Sequence, residues 1–299
     1  MMEIEAAVKN AVKSRSRGNL ADYLNVIKPR ETALLVFIGV IASLTAAKGT
    51  LPVGRVLFIL AAILIASAGA NGLTNYLDRR LDARMERTRR RALPSGRIFP
   101  AERALYFTAA LTAAGLAAAW FLHPWAFIAD LVGTAAALIY RKRVTCVFPQ
   151  GMIASCAPVL MGWFAVRAAF DWEILLLCVL IAVWLPSHIW SIMTAHREDY
   201  RQAGLCYFPM SSNQRTVSQI LFVFCLLLFA ASIGLYFAGD FGHLYLIVAA
   251  ISGLIIVYAG WRLMASGASR DAWKLYKLSA FPYLGILFLA IGLDLWLRF

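Results

Sequence analysis

The stretch ALYFTAALTAAGLAAAWFLHPWAFIADLVGTAAALIY, residues 104–140, decides how this chain is built. Its 37 residues contain one charged side chain, Asp130. A single helix of that length would run about 55 Å at about 1.5 Å per residue, against an apolar bilayer core of about 30 Å. His123-Pro124 near its middle reads as a tight turn, which makes two spans of one run. Outward from there, uncharged apolar runs cover 32–47, 56–77, 144–166, 174–195, 216–239, 244–261 and 278–293. Most approach the roughly 20 residues that a crossing helix needs, so the expected fold is all-α, a polytopic membrane protein with about nine transmembrane helices.

Charge tests that count. Of the 29 Lys and Arg residues, six precede or include Arg30, nine lie in 78–103, three in 141–143, three in 197–215 and four in 262–277. Only Lys48, Arg55, Arg167 and Arg298 fall on the other side. Without a turn at Pro124 the later basic loops would change sides, against the tendency of cations to stay cytoplasmic. The N-terminus is therefore expected to be cytoplasmic and the C-terminus outside. With 61% hydrophobic and 15% charged residues, the chain lies far from soluble composition. Residues 1–28 mix acids and bases without an apolar core, so they read as a cytoplasmic N-terminal segment and not a signal peptide. The net charge of +13 follows from topology; no nucleic-acid motif accompanies it.

No linker divides the chain, and one domain over 1–299 is expected. Ala66-Ser67-Ala68-Gly69-Ala70 and Ala113-Ala114-Gly115 would let helices approach closely. Trp120, Trp125, Trp172, Trp184 and Trp273 read as interfacial anchors, and Cys146, Cys156, Cys178, Cys206 and Cys225 as packing cysteines without metal spacing.

The polar residues are not scattered. At 100° per residue, Asn71, Asn75, Asp78 and Asp82 fall within an arc of about 60° on one helical face. Such hard oxygen ligands suit Mg²⁺, which is usually completed by substrate phosphates, so a diphosphate substrate is implied. The following loop carries Arg84, Arg87, Arg89, Arg90, Arg91 and Arg97, whose guanidinium forks match phosphate oxygens. Together they would clamp a Mg²⁺-diphosphate and stabilise charge growing on it as it leaves. A second cluster, Trp184-Leu-Pro186-Ser-His188-Ile-Trp190 followed by Glu198-Asp199-Tyr200, ends a later span on the same side. On a continuous helix His188 and Asp199 would lie within about 20° of each other. His188 reads equally as a haem ligand, a base or a structural histidine, and Asp130 as an intramembrane acid without a companion motif.

These motifs resemble the UbiA-type intramembrane prenyltransferase family, and most closely its haem O synthase branch. The resemblance covers roughly 20–295 and rests on Thr74-Asn75-Tyr76-Leu77-Asp78-Arg79-Arg80-Leu81-Asp82 with Glu86-Arg87-Thr88-Arg89-Arg90-Arg91-Ala92-Leu93-Pro94-Ser95-Gly96, whose order and spacing are similar to the family's NxxxDxxxD motif and ERTxNRPLxxG loop. The Trp184–Trp190 and Glu198–Gly204 segments resemble the branch's WxPPHFW and acidic-Asp-Tyr stretches. Thr74 stands where the family has its leading metal-binding Asn, so Asn75 or Asn71 would substitute; Ala203 stands where a second carboxylate would follow Asp199. The resemblance implies helices around a central cavity open to the cytoplasmic side. It implies that Asn75, Asp78, Asp82 and Asp199 hold Mg²⁺ on farnesyl diphosphate, with Arg87, Arg91, Tyr140 and Lys142 on the diphosphate and His188 on the haem side. A vinyl group of haem B would attack the allylic carbon and water would add, giving a hydroxyethylfarnesyl side chain. The bacterial cytoplasmic membrane, and a membrane partner that delivers haem or modifies it downstream, are implied too. Three alternatives stay open: a prenyltransferase for a quinone precursor or other ring acceptor, an inactive haem-binding relative, and a transporter using the same acids.

Overall fold

In the computed structural model, which describes residues 18–139 and 147–297, regular structure is entirely helical. A short α1 (Leu20–Val26) is closed at its start by a reciprocal cap. The Asn19 side chain accepts from Asp22 N at 2.9 Å, and Asp22 Oδ2 accepts from Asn19 N at 3.2 Å. Lys28 then takes a left-handed conformation (φ 50°), and Pro29 opens α2 (Pro29–Ala46) at the position where a missing N–H costs nothing. The order continues with α3 (Val53–Asp82), α4 (Glu102–Leu122), α5 (Pro124–Ile139), α6 (Gln150–Phe164), α7 (Trp172–Ala195), α8 (Arg197–Gln202), α9 (Gln214–Ala238) and α10 (His243–Ser266). The last span is α11 (Ser269–Leu278), a π-helical stretch (Ser279–Gly285) and α12 (Ile286–Leu297).

The turn read at residues 123–124 is there: α4 stops at Leu122, His123 is extended (φ −171°, ψ 145°), and Pro124 starts α5. All nine apolar runs carry a helix, but seven meet the length and composition of a crossing helix among the described residues. The two others are α5, with 16 residues, and α6, with 15; sixteen residues rise about 24 Å, and residues 140–146 between these helices lie outside the described residues.

Most neighbours in sequence pack on one another, and α12 returns against α2, closing the bundle. Inside it, α2 lies against α6, and α7 against α11. The first crossing requires glycine on both helices: a Cβ on Gly162 would sit 1.9 Å from the Gly39 carbonyl oxygen. The small-residue runs serve the α3–α4 crossing as expected, since a Cβ on Gly115 would lie 2.5 Å from Ala66 Cα and one on Gly69 2.6 Å from Thr112 N. Trp120, Trp125 and Trp172 are exposed as interfacial anchors would be. Trp184 is not. It is buried, because its indole N–H donates to the Ser279 carbonyl at 2.6 Å.

Candidate active site

Helix α3 runs unbroken to Asp82, so the four polar residues of its last turns share a face as their spacing predicts. Asn75, Asp78 and Asp82 are buried. The two amides tie α3 to the chain before and at the start of α2: Asn71 Nδ2 donates to Thr32 Oγ1 at 3.0 Å, and Asn75 Nδ2 to the Val26 carbonyl at 2.6 Å. Thr74 donates to the Asn71 carbonyl at 2.8 Å and has Lys28 Nζ 3.5 Å from its hydroxyl. Asp82 Oδ2 lies 3.4 Å from Arg91 Nη1, and Thr88 donates to the Asp82 carbonyl, which folds the arginine-rich loop back over the helix end.

Asp199 meets this loop from the other half of the chain. Its Oδ1 accepts from Glu86 N at 2.6 Å and its Oδ2 from Arg87 N at 3.2 Å. The next residue, Tyr200, is buried and its hydroxyl accepts from Arg87 Nη2 at 3.0 Å. Arg87 is thus held at its backbone by one side chain and at its guanidinium by the neighbouring one. The expected alignment of His188 with Asp199 does not occur, because α7 ends at Ala195, His196 leaves helical geometry (φ −114°, ψ 33°), and α8 starts afresh at Arg197. Pro186, by contrast, is accommodated inside α7.

His188 sits in an aromatic ladder. Its ring stacks on Trp184 at 4.7 Å and on Tyr276 at 4.6 Å, Tyr276 stacks on Trp273 at 5.0 Å, and Trp273 meets His196 edge-on at 5.3 Å. His188 Nδ1 lies 2.9 Å from Ser279 Oγ. The ladder bridges α7 and α11, and its inner end faces a cavity of about 300 Å³. Lys28, Arg87 and Arg91 reach that cavity together with Trp184, His188 and Tyr276; Leu34, Leu35, Leu185, Ile189 and Ile192 supply apolar wall. Asp82 and Asn75 border a small gap beside it, which they share with Arg91. Burial, and then the charge of Arg87, hold the imidazole of His196 below its usual pKa against the opposing charge of Asp199.

The sequence reading thus finds Arg87, Arg91 and His188 at one cavity, with Asn75 and Asp82 immediately behind Arg91. Asp199 engages loop backbone, and among the described residues no three His, Cys, Asp or Glu side chains gather tightly enough to hold a metal by themselves. Tyr140 and Lys142 lie outside the described residues. Lys28 and Tyr276, and Glu31, which also lines the cavity, were missed: Lys28 counts only as one more cytoplasmic cation in sequence, although Pro29 marks it as the residue that caps the first span.

Sequence comparison finds the UbiA prenyltransferase family over residues 34–290. A protoheme IX farnesyltransferase of Desulforudis audaxviator (strain MP104C) is 35% identical over 294 residues, covering 96% of this chain and 92% of its own. One of Gloeobacter violaceus is 34% identical, covering 92% of each chain. Among solved structures, a digeranylgeranylglyceryl phosphate synthase superposes with a TM-score of 0.74 at 20% identity, covering 93% of this chain and 98% of its own. A UbiA homolog from Archaeoglobus fulgidus bound to DMAPP and Mg²⁺ superposes with a TM-score of 0.71 at 15% identity, covering 93% and 100%.

Proposed function

The chain belongs to the UbiA prenyltransferase family, and we propose that it transfers the farnesyl group of farnesyl diphosphate to a vinyl group of protohaem IX, making haem O inside the membrane. The observation that carries this reading is the meeting of three cations, Lys28, Arg87 and Arg91, with an aromatic wall of Trp184, His188 and Tyr276 at one partly apolar cavity. Cations suit a diphosphate, flat rings suit a porphyrin, and the aliphatic wall suits an isoprenoid.

The donor set fits Mg²⁺. The ion is usually held by one or two carboxylates and completed by substrate phosphates, and Asp78 and Asp82 lie one helical turn apart on a buried face of α3, with Asn75 beside them. When bound, the metal supplies positive charge that eases departure of the diphosphate. Arg91 lines the cavity and touches Asp82, so it can exchange the carboxylate for a phosphate oxygen and leave Asp82 to the metal. Arg87 needs no such exchange. Asp199 and Tyr200 hold it in place, and preorganised charge of this kind stabilises a leaving anion without reorganisation. Asp199 therefore positions the loop first, and any metal contact it makes uses its remaining lone pairs. Leu185, Ile189 and Ile192 keep water from the allylic cation. Tyr140 and Lys142 are assigned to the diphosphate on the resemblance alone.

In this reading residues 1–299 form a single transmembrane prenyltransferase domain in a bacterial cytoplasmic membrane, with 1–28 and the arginine-rich loop cytoplasmic and the C-terminus outside. A membrane partner delivers haem or modifies it afterwards. The test is to incubate purified protein with haem B, farnesyl diphosphate and Mg²⁺, with and without chelator, and to identify products by mass spectrometry. A metal-dependent farnesylated haem supports the proposal; haem left untouched, while an aromatic quinone precursor supplied in a parallel incubation is prenylated, refutes it.

A further inference from the structure

A second cavity of about 140 Å³ lies between α3, α5 and α6 and shares Leu35, Asn71 and Ser155 with the large one. Among mostly small apolar residues its wall carries polar groups at membrane depth: Ser67, Asn71, Thr74, Thr134 and Ser155 contribute, and Asp130 lies among them. Asp130 is 4% exposed. Its Oδ1 accepts from Thr134 Oγ1 at 3.3 Å, while Oδ2 is buried without a hydrogen-bond partner among the described residues. An intramembrane carboxylate is costly, and one left half-satisfied beside a chamber has not been kept as glue between helices. The chamber has ample room for water, whose share of liquid volume is about 30 Å³ per molecule, and several hydroxyl and amide groups to hold it.

We infer that this chamber stores the water that completes the reaction proposed above, and that Asp130 accepts its proton; the inference rests on that reading. Bond formation between the allylic carbon and the terminal vinyl carbon leaves positive charge on the vinyl carbon next to the porphyrin ring. The oxygen of one water bonds to that carbon. One O–H bond of the water breaks, its electron pair stays on oxygen, and the proton passes to an Asp130 carboxylate oxygen and then to water of the cytoplasmic face. Where the water is not delivered, the cation instead loses a proton from the adjacent carbon and closes to an alkene. Two products that differ by one water thus report on the chamber.

The test compares wild-type protein with Asp130→Asn, and with Ala137→Leu, which fills the chamber from another of its wall residues. Each is incubated with haem B and farnesyl diphosphate in H₂¹⁸O, and hydrated and dehydrated farnesyl-haem are quantified by mass spectrometry. General bases contribute about 100-fold or more in favourable cases, and for so reactive a cation we expect the ratio of hydrated to dehydrated product to fall by about tenfold in both variants. Asp130→Glu, which keeps the carboxylate, should recover most of the ratio. An unchanged ratio in Asp130→Asn, at whatever total turnover, overturns the inference and leaves the farnesyl-transfer reading standing; if Asp130→Asn does not accumulate, an unchanged ratio in Ala137→Leu overturns it equally. Wild-type protein that makes no farnesylated haem at all overturns the farnesyl-transfer reading, and this inference with it.

Discussion

Replacing Asp199 by Asn separates the two roles open to this residue. The carboxylate accepts from Glu86 N at 2.6 Å and Arg87 N at 3.2 Å. An amide keeps one acceptor oxygen, and the shorter bond survives; its NH₂ group then faces a second N–H, so one charge-assisted bond is lost. Such a bond is worth about 1.5–3 kcal/mol, and the part-buried Arg87 N–H recovers part of it through water, which leaves about 1–2 kcal/mol. Under the proposed function the tether would fix Arg87 against the leaving diphosphate, so the loss should appear there: at 1.36 kcal/mol per decade it becomes about a 5- to 30-fold rise in the apparent KM for farnesyl diphosphate. The Mg²⁺ concentration giving half-maximal rate should stay within a factor of about two, because this role is not ligation. Amide exchange at residues 86–87 should quicken by a similar factor to the KM change. Steady-state kinetics across a Mg²⁺ series, paired with hydrogen exchange in detergent, reads all three. Unchanged exchange at 86–87 with a large rise in the Mg²⁺ requirement would refute the tether and restore Asp199 as a metal ligand.

If Asp78 holds the metal as proposed, Asp78→Asn should lower turnover by at least about 1,000-fold while folding normally, since its charge is lost without loss of volume; retained turnover removes Asp78 from that role. Chelation should stop wild-type turnover, and excess Mg²⁺ should restore it. Gly162→Ala should destabilise the detergent-solubilised protein by about 1–3 kcal/mol, because its Cβ meets the Gly39 carbonyl oxygen at 1.9 Å, whereas Gly234→Ala, with nothing within 4 Å, should be neutral or slightly stabilising; equal thermal midpoints for the two would contradict the crossing. The hydrogen bond and charge of Arg97, at 2.6 Å, hold the Asp22 carboxyl below its usual range. A depressed carboxylate pKa contributes stability above its unfolded value near 3.8 and loses it as pH falls through the folded value, so α1 should loosen only below about pH 4. Asp22→Asn should abolish that acid step in amide exchange over 20–26.

Local signals carried much of this in sequence. Pro124 marks its own turn, since proline is disfavoured inside a helix but suits a first helical position, and the arc of Asn71, Asn75, Asp78 and Asp82 survives because α3 is continuous. The errors came where a neighbour distant in sequence decides the geometry. Asp199 was read against His188 eleven residues away, yet the helix breaks at His196 and its partners are backbone groups 112 and 113 residues back. Trp184 looked like a surface anchor until the Ser279 carbonyl, 95 residues on, took its N–H. Asp130 had no companion motif along the chain, because beyond Thr134 one turn on, the polar groups around it come from α3 and α6.

The kink in the last span has a consequence for biosynthesis. Ala280 departs from helical geometry (ψ −126°) two residues before Pro282, and the Ser279 carbonyl beside it is the one that Trp184 takes. Tyr276, the other face of the His188 stack, is three residues upstream. Asp78, Asp82 and the arginine-rich loop leave the ribosome within the first hundred residues, but the Tyr276 side of the cavity is made only with the last span. A nascent chain arrested before its final span would carry every acid and arginine of the motif and still lack the Tyr276 face of the cavity, so under the proposed function activity should switch on only at the end of insertion.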